Sequence, residues 1–133
     1  MILNELYEMV NKDLEIDKTE LDTESLRTPQ IHNKYLILHS KEKLKLEHVL
    51  SEKKVRRRNK WLYYTGKMSQ EDLDRFGWEP FDLVILKTEV DRFVESDEEM
   101  IKLSAKITLQ EEVVSYLESV VKMISNRQWN IRA

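Results

Sequence analysis

The sequence predicts an all-α fold: a long antiparallel helical hairpin with a short N-terminal helix and an extended connector between the long helices. Three observations support this prediction. Charged residues make up 35% of the 133 residues, and the chain has two glycines and two prolines, a composition typical of long helices. Residues 30–65 contain neither helix-breaking residue type. A heptad-like apolar repeat occupies the last third of the chain. We expect a single helical domain over residues 1–133 that assembles into an oligomer.

The first predicted element is a short helix over residues 1–14. Its apolar residues recur at helical spacing: Leu3, Leu6, Tyr7, Val10 and Leu14. A helix of this length is marginal in water, so we expect it to dock on a longer helix. A turn is expected at residues 17–19.

The second predicted element is a long basic helix over residues 29–65. Thr28 followed by Pro29 suits an N-cap and first helical position, so a long helix either begins there or is bent there. Gly66 suits the residue that ends the helix. The apolar stripe of the first half, which includes Ile31, Tyr35 and Val49, becomes basic after Leu50. We therefore expect a polar, acidic or polyanionic partner to cover the second half.

The connector over residues 66–96 is predicted to be mostly extended. Ser69 and Asp72 are spaced as a capping box for a brief helix that Gly77 would end. Residues 78–94 are expected to be extended, with a small strand possible, and Ser96 with Glu99 forms a second capping box.

The last predicted helix covers residues 97–126 and carries apolar residues in alternating steps of three and four. Such a seam is typical of the core of a helical hairpin, and it also suits self-association. Apolar residues outside the seam widen the face beyond what one partner helix would cover, which favours self-association. The candidate oligomerisation residues are Leu103, Ile107, Val114, Leu117, Val121 and Ile124.

Several function classes lack their sequence signals. The absence of cysteine excludes disulfides, thiolate metal sites and cysteine nucleophiles, and no glycine-rich phosphate loop or zinc-protease motif occurs. His32 and His39 lack a third ligand nearby. No apolar run approaches membrane-spanning length. We therefore predict a soluble cytoplasmic protein that is not an enzyme, with no metal and no cofactor.

The strongest functional signal is the basic run at residues 53–67, which holds seven lysines and arginines, three aromatic residues and no carboxylate. Net charge is −3, yet residues 41–67 alone carry +7. Cations beside aromatic rings suit single-stranded nucleic acid, because cations offset phosphate charge and ring faces stack on bases. We expect these groups to be open to solvent. The candidate DNA-binding residues are Lys53, Lys54, Arg57, Arg58, Lys60, Trp61, Tyr64 and Lys67.

An alternative interpretation is a helical scaffold or assembly protein whose basic stripe pairs with its own acidic residues. An antiparallel hairpin would bring Asp97, Glu98 and Glu99 close to Lys60. The sequence alone leaves both interpretations open.

Three stretches of the chain resemble the UvsY family of phage recombination mediators, from T-even phages and their cyanophage relatives. They are HNKYLILHSKEKLKLEHV, KKVRRRNKWLYYTGK and YLESVVKMISNRQWNI. The most specific part is the YYTGK segment at residues 63–67, and the resemblance extends over nearly the whole chain. The chain is expected to end slightly before the usual C-terminus of the family.

The resemblance implies a noncatalytic helical protein that assembles into rings. It would bind single-stranded DNA coated by the phage single-strand-binding protein and help load a UvsX-type recombinase there, in the cytoplasm of the infected bacterial host. The family's basic DNA-binding positions correspond to Arg58 and Lys60, next to Trp61 and Tyr64.

Overall fold

The computed structural model describes residues 2–15 and 21–132, and the side chains of residues 2–15 and 27–127. Within those ranges the chain forms five helices and no strand. The helices are α1 Leu3–Asp13, α2 Leu21–Tyr64, α3 Gln70–Phe76, α4 Lys87–Glu95 and α5 Glu98–Arg132. The predicted all-α fold with two long helices and a short N-terminal helix is confirmed. The expected turn at residues 17–19 lies outside the described residues.

The chain divides into two compact units. Unit 1 comprises residues 1–46 and 109–133, and unit 2 comprises residues 47–108. Helices α2 and α5 contribute to both units. The expectation of a single domain over residues 1–133 stays a prediction.

Unit 1 has an aliphatic core built from three helices. Helix α1 is too short to be stable alone, and it buries Leu6 and Val10 completely against α2 and α5. Each such side chain contributes about 1.5–3 kcal/mol when fully buried. The buried core residues are Leu6, Val10, Ile31, Tyr35, Val113, Leu117, Val120 and Ile124.

The end of α1 is held by polar contacts. Arg27 donates to the carbonyl oxygens of Asp13 at 2.7 Å and Glu15 at 3.1 Å. Arg127 donates to the carbonyl oxygen of Leu14 at 2.8 Å. Two guanidinium groups thus satisfy carbonyls that the end of a helix leaves without intrahelical donors.

Helix α2 begins at Leu21 and continues through Pro29, so the predicted start at residue 29 is wrong. A proline inside a helix removes one hydrogen bond and costs about 3 kcal/mol. Contacts beside the proline offset this cost. Thr28 is buried, and Arg27 is bonded to the end of α1.

Unit 2 contains two short helices where the sequence predicted one. The brief helix α3 is confirmed: the Ser69 hydroxyl accepts from the Asp72 N–H at 3.2 Å, and Gly77 ends the helix at φ 71°. The prediction that residues 78–94 are extended is wrong for α4. Val90, Phe93 and Val94 recur at helical spacing, and Val90 and Val94 are buried against Met100.

Helix α5 is capped by Asp97, so the predicted Ser96 capping box is wrong. Asp97 Oδ1 accepts from the Met100 N–H at 3.1 Å. The Ser96 hydroxyl instead donates to the Arg92 carbonyl at 2.8 Å and closes the end of α4. Helix α5 extends to Arg132 rather than ending at residue 126.

The apolar seam of α5 serves the core of the chain itself. Ile107, Leu117 and Ile124 are buried, and Val121 packs on the unit 1 core. The expectation that Ile107, Leu117 and Ile124 form an oligomerisation contact is therefore wrong, because these side chains are buried within their own chain. Val113 and Val120, which the heptad pattern left outside the seam, are also core residues, because α1 and α2 together cover a wider face than one helix would.

Candidate nucleic-acid interface

The end of the basic helix is shaped by Gly66. Its φ is 72°, its N–H donates to the Tyr63 carbonyl at 3.2 Å, and the Lys67 N–H donates to the Leu62 carbonyl at 2.9 Å. This pair of bonds is the Schellman motif, which favours glycine at the left-handed position. The turn places Lys67 Nζ 5.0 Å from the centre of the Trp61 ring.

A second Schellman motif at Gly77 positions Trp78. The Gly77 N–H donates to the Asp74 carbonyl and the Trp78 N–H to the Leu73 carbonyl. The Trp78 ring then lies 3.8 Å from Lys60 Nζ, and its Nε1 donates to Glu99 Oε1 at 3.1 Å. The two glycines thus end two helices, and each turn sets one contact between a cation and a ring. Gly66 brings Lys67 to Trp61, and Gly77 brings Trp78 to Lys60.

Lys60 is buried, with 5% of its surface exposed. Its ammonium group lies 3.1 Å from Asp97 Oδ2 and 3.5 Å from Glu99 Oε2. The expectation that Lys60 is open to solvent is wrong, because two carboxylates and the Trp78 ring surround it. A buried cation requires such partners, since desolvation without compensation is costly.

Tyr64 belongs to the same network. Its hydroxyl donates to Asp97 Oδ2 at 2.6 Å. Burial and this hydrogen bond raise the pKa of Tyr64 well above its ordinary value. Burial alone would raise the pKa of Asp97, but hydrogen bonds from Tyr64, Lys60 and the Met100 N–H outweigh it and hold that pKa below its usual range. Tyr64 is therefore only partly open, contrary to expectation.

Two more cations of the basic run contact carboxylates of unit 2. Arg56 lies 3.0 Å from Glu99, and Arg57 lies 3.5 Å from Asp91. Both members of the second pair are exposed, and exposed pairs of this kind contribute roughly 0–1 kcal/mol. Intramolecular pairing, which the alternative interpretation predicted, thus applies to part of the basic run. The Arg57 pair is weak enough to exchange with a phosphate.

Three further cations of the basic run have no carboxylate partner among the described side chains. Among the residues whose side chains the structure describes, Lys53, Lys54 and Arg58 form no ion pair, and Lys54 and Arg58 are exposed. Arg58 lines an open groove of about 500 Å³ with Arg56, Arg75 and His48. One carboxylate, that of Glu52, lines the same groove. Positive charge dominates its lining.

The structure adds cations that the sequence pattern did not single out. Arg75 of α3 joins the groove of Arg58, and Lys102 and Lys106 of α5 line a second groove with Arg56. Lys87 lies at the start of α4 and lines a cavity with Lys67. Arg75 and Lys87 each lie among acidic residues, and Lys102 and Lys106 lie four residues apart without other cations beside them, so no local charge run indicated any of the four.

Metal sites and membrane-spanning helices are both absent from the described part of the chain. No group of three or more His, Asp or Glu side chains could hold a metal ion there. None of the helices in those ranges is long and apolar enough to cross a membrane.

Comparisons with known proteins agree with this fold. A family model described as recombination, repair and ssDNA binding protein UvsY matches residues 9–133. The recombination protein UvsY of Enterobacteria phage T4 is 24% identical over 132 residues, which span 99% of this chain and 91% of that protein. Two crystal structures of the bacteriophage T4 recombination mediator protein UvsY each superpose with a TM-score of 0.84 at 22% and 23% identity. They cover 99% of this chain and 93% and 91% of theirs.

The structural likeness concerns the fold, and the family model concerns the sequence over nearly its full length. Both agree with the resemblance carried by the basic run and the YYTGK segment. This chain belongs to the UvsY family of recombination, repair and single-stranded-DNA-binding proteins.

Proposed function

We propose that this protein is a noncatalytic recombination mediator that binds single-stranded DNA and helps load a UvsX-type recombinase onto DNA coated by single-strand-binding protein. Membership of the UvsY family supports the DNA-binding part. The name of the T4 relative supports the mediator part. The recombinase and the coat protein are partners that the family resemblance suggests.

The observation that carries the proposal is the groove of Arg58. Its lining brings three arginines and one histidine together with a single glutamate. Phosphates entering such a groove release condensed counterions, which favours binding at low salt. The proposed phosphate contacts inside the groove come from Arg58 and Arg75. Further contacts outside it come from Lys53, Lys54, Arg57 and Lys67, while Lys60 and Tyr64 hold the end of α2 in place.

The salt dependence of binding tests this assignment. The double variant Lys54→Ala/Arg58→Ala removes two exposed cations that form no ion pair among the described side chains. The slope of log K against log salt is negative, and each phosphate contact contributes about −0.7 to it for a single strand. Losing two contacts should therefore make the slope less steep by about 1.4. Titration of a labelled oligothymidine at several salt concentrations measures it.

The matched control is Lys122→Ala, which removes one exposed cation from α5. The Lys122 side chain is 75% exposed and forms an ion pair with Glu118 one helical turn away. Its loss should leave the slope unchanged. An equal slope for the double variant and the wild-type protein would rule out the proposed surface, and a folded double variant is verified by its helical circular dichroism.

Handover of DNA would follow from weak, repeated contacts. A single copy of the chain offers few phosphate contacts, whereas several copies on one strand raise the effective concentration of each binding surface. A protein bound in this way can displace a coat protein and yet release the strand to a recombinase. Recombinase filament formation on coated DNA should therefore accelerate with this protein and slow with the double variant.

Self-association is part of the same proposal. Among the side chains that the structure describes, unit 1 leaves five large apolar ones exposed on α2 and α5: Leu36, Ile37, Leu44, Leu109 and Met123. Exposed apolar surface of this kind is typical of contacts between proteins. The variant Leu44→Glu should lower the sedimentation coefficient at fixed protein concentration, and an unchanged coefficient would exclude Leu44 from the contact.

A further inference from the structure

A cavity in unit 2 lies beside the end of the basic helix and is distinct from the groove of Arg58. It has a volume of about 350 Å³, near the lower end of the roughly 300–1,000 Å³ that small-molecule pockets occupy. Its lining is mostly apolar and aromatic, and it also includes two lysines and one aspartate. The lining residues on which the argument rests are Trp61, Tyr64, Phe81, Val84, Lys67 and Lys87.

The aromatic walls of this cavity are fixed before any ligand binds. Tyr64 is held by its hydrogen bond to Asp97. Phe81 meets Tyr64 edge to face at 4.9 Å and contacts Phe93 at 5.9 Å. A rigid aromatic wall loses little conformational entropy on binding a flat ligand.

Three other large apolar residues of the lining are exposed. Trp61 is 40% exposed, and Val84 is fully exposed at 101%. Leu83 is also exposed. Large apolar side chains left open around a concave site indicate a ligand with an apolar face.

The charges of the lining decide what kind of ligand fits. Lys67 and Lys87 supply positive charge, which suits a phosphate near the cavity. The apolar walls and the carboxylate of Asp82 disfavour a phosphate inside it. A nucleotide satisfies both conditions when its base enters and its phosphates stay outside.

We propose that this cavity binds one unstacked nucleobase of the single strand, with Trp61 as the stacking ring and with Lys67 and Lys87 contacting the flanking phosphates. The inference rests on the proposed function, because it requires single-stranded DNA at the end of α2. The proposed base site adds a contact that depends on the nucleobase to a surface whose other proposed contacts are with phosphates.

The test compares oligothymidine with an abasic oligomer of equal length, which keeps the phosphates and lacks the bases. Stacking on one aromatic ring is worth about 1–3 kcal/mol per base, so wild-type protein should bind oligothymidine about tenfold more tightly. Trp61→Ala should lower the affinity for oligothymidine about tenfold and abolish this preference. Trp61→Phe should retain most of it.

A second variant avoids any effect on the ring itself. Val84→Asp places a carboxylate in the cavity at a fully exposed position, so the fold is retained. Leu86→Asp makes the same charge change at an exposed residue outside the lining. Val84→Asp should reduce the preference for oligothymidine at least threefold, and Leu86→Asp should not.

The outcomes separate this inference from the proposed function. If neither oligomer binds, the proposed function fails and the cavity has no DNA to bind. If both oligomers bind equally to wild-type protein, or if Trp61→Ala weakens both equally, DNA binding stands and the base site is excluded. If Val84→Asp alters sedimentation without altering the preference, the exposed segment contacts another copy and the base site is rejected.

Discussion

Units 1 and 2 each fasten an aspartate to a lysine and a tyrosine of α2, but they surround that group differently. In unit 1, Asp13 Oδ2 accepts from Lys34 Nζ at 2.6 Å and from the Tyr35 hydroxyl at 2.7 Å. The group lies at the edge of a core of seven buried aliphatic residues and Tyr35 itself. In unit 2, Asp97 accepts from Tyr64 and contacts Lys60, and the lysine itself is buried among aromatic rings.

The difference shows how α2 packs in a hydrophobic core in unit 1 and carries surface cations in unit 2. In unit 1 the cation stays at the surface, with Lys34 47% exposed, and apolar burial holds the helices together. In unit 2 the aliphatic cluster contains three buried residues, Val90, Val94 and Met100, and Val49, Leu73 and Ile107 are buried outside that cluster. Charge and aromatic contacts supplement these residues there, so the cations of α2 can remain on the surface of that unit. The free energy of unfolding should therefore depend on charge pairs in unit 2 and on the volume of buried apolar side chains in unit 1.

The largest expected effect is that of Lys60→Met. Removing this buried cation leaves the buried carboxylate of Asp97 without its ion-pair partner, which costs about 3–5 kcal/mol of unfolding free energy. Urea denaturation measures the loss. Lys54→Met, at an exposed position of the same helix, is the control and should change stability by less than about 0.5 kcal/mol. Equal stability of the two variants would refute the role of charge in unit 2.

Leu117→Ala tests whether the stability of unit 1 depends on the volume of its buried apolar side chains. Leu117 is fully buried, and leucine-to-alanine changes in a core cost about 2–5 kcal/mol. The loss should be the same at low and high salt, because no charge is involved. A loss below about 1 kcal/mol, or one that varies with salt, would contradict the aliphatic character assigned to this core.

Acid should weaken both units through their aspartates. Partners in the folded state lower the pKa of Asp13 and of Asp97. A lowered folded-state pKa contributes stability above the unfolded pKa of about 3.9, and that stability is lost as pH falls through the folded value. Asp13→Asn and Asp97→Asn should each be less stable than wild type at pH 7, and the difference should narrow below about pH 4. A constant difference from pH 7 to pH 3 would disprove the linkage.

The smallest expected effect is that of Gly66→Ala. Gly66 has a φ of 72° and no heavy atom within 4 Å of an added Cβ, so the cost comes from the backbone conformation alone, about 1 kcal/mol. Gly77→Ala, with a φ of 71° and equal space, should cost the same. A stabilised Gly66→Ala variant in urea would contradict the Schellman assignment. A changed turn at residue 66 should also displace Lys67 from the Trp61 ring, and this displacement should weaken binding of oligothymidine slightly.

Much of the fold was predictable because its signals are local. The apolar spacing at Leu6 and Val10 predicted a short docked helix, and Ser69 with Gly77 delimited α3 correctly. The early start of α2 was not predictable, because the proline signal at Pro29 was overridden by tertiary contacts of Arg27 and Thr28. Helix α4 was missed because the preceding apolar run suggested extended chain more strongly than the spacing of Val90 and Val94 suggested a helix.

The sequence by itself determined that this chain is helical, that one stretch of α2 is strongly basic, and that two glycines end helices, since composition, periodicity and left-handed φ are properties of neighbouring residues. Only the tertiary structure decided which cations are available. The partners of Arg57 and Arg56 lie 34 and 43 positions away in the chain, and pairing over such separations depends on where α4 and α5 pack. For that reason Lys60 is a core residue of unit 2 whereas Arg58, two positions earlier, faces an open groove.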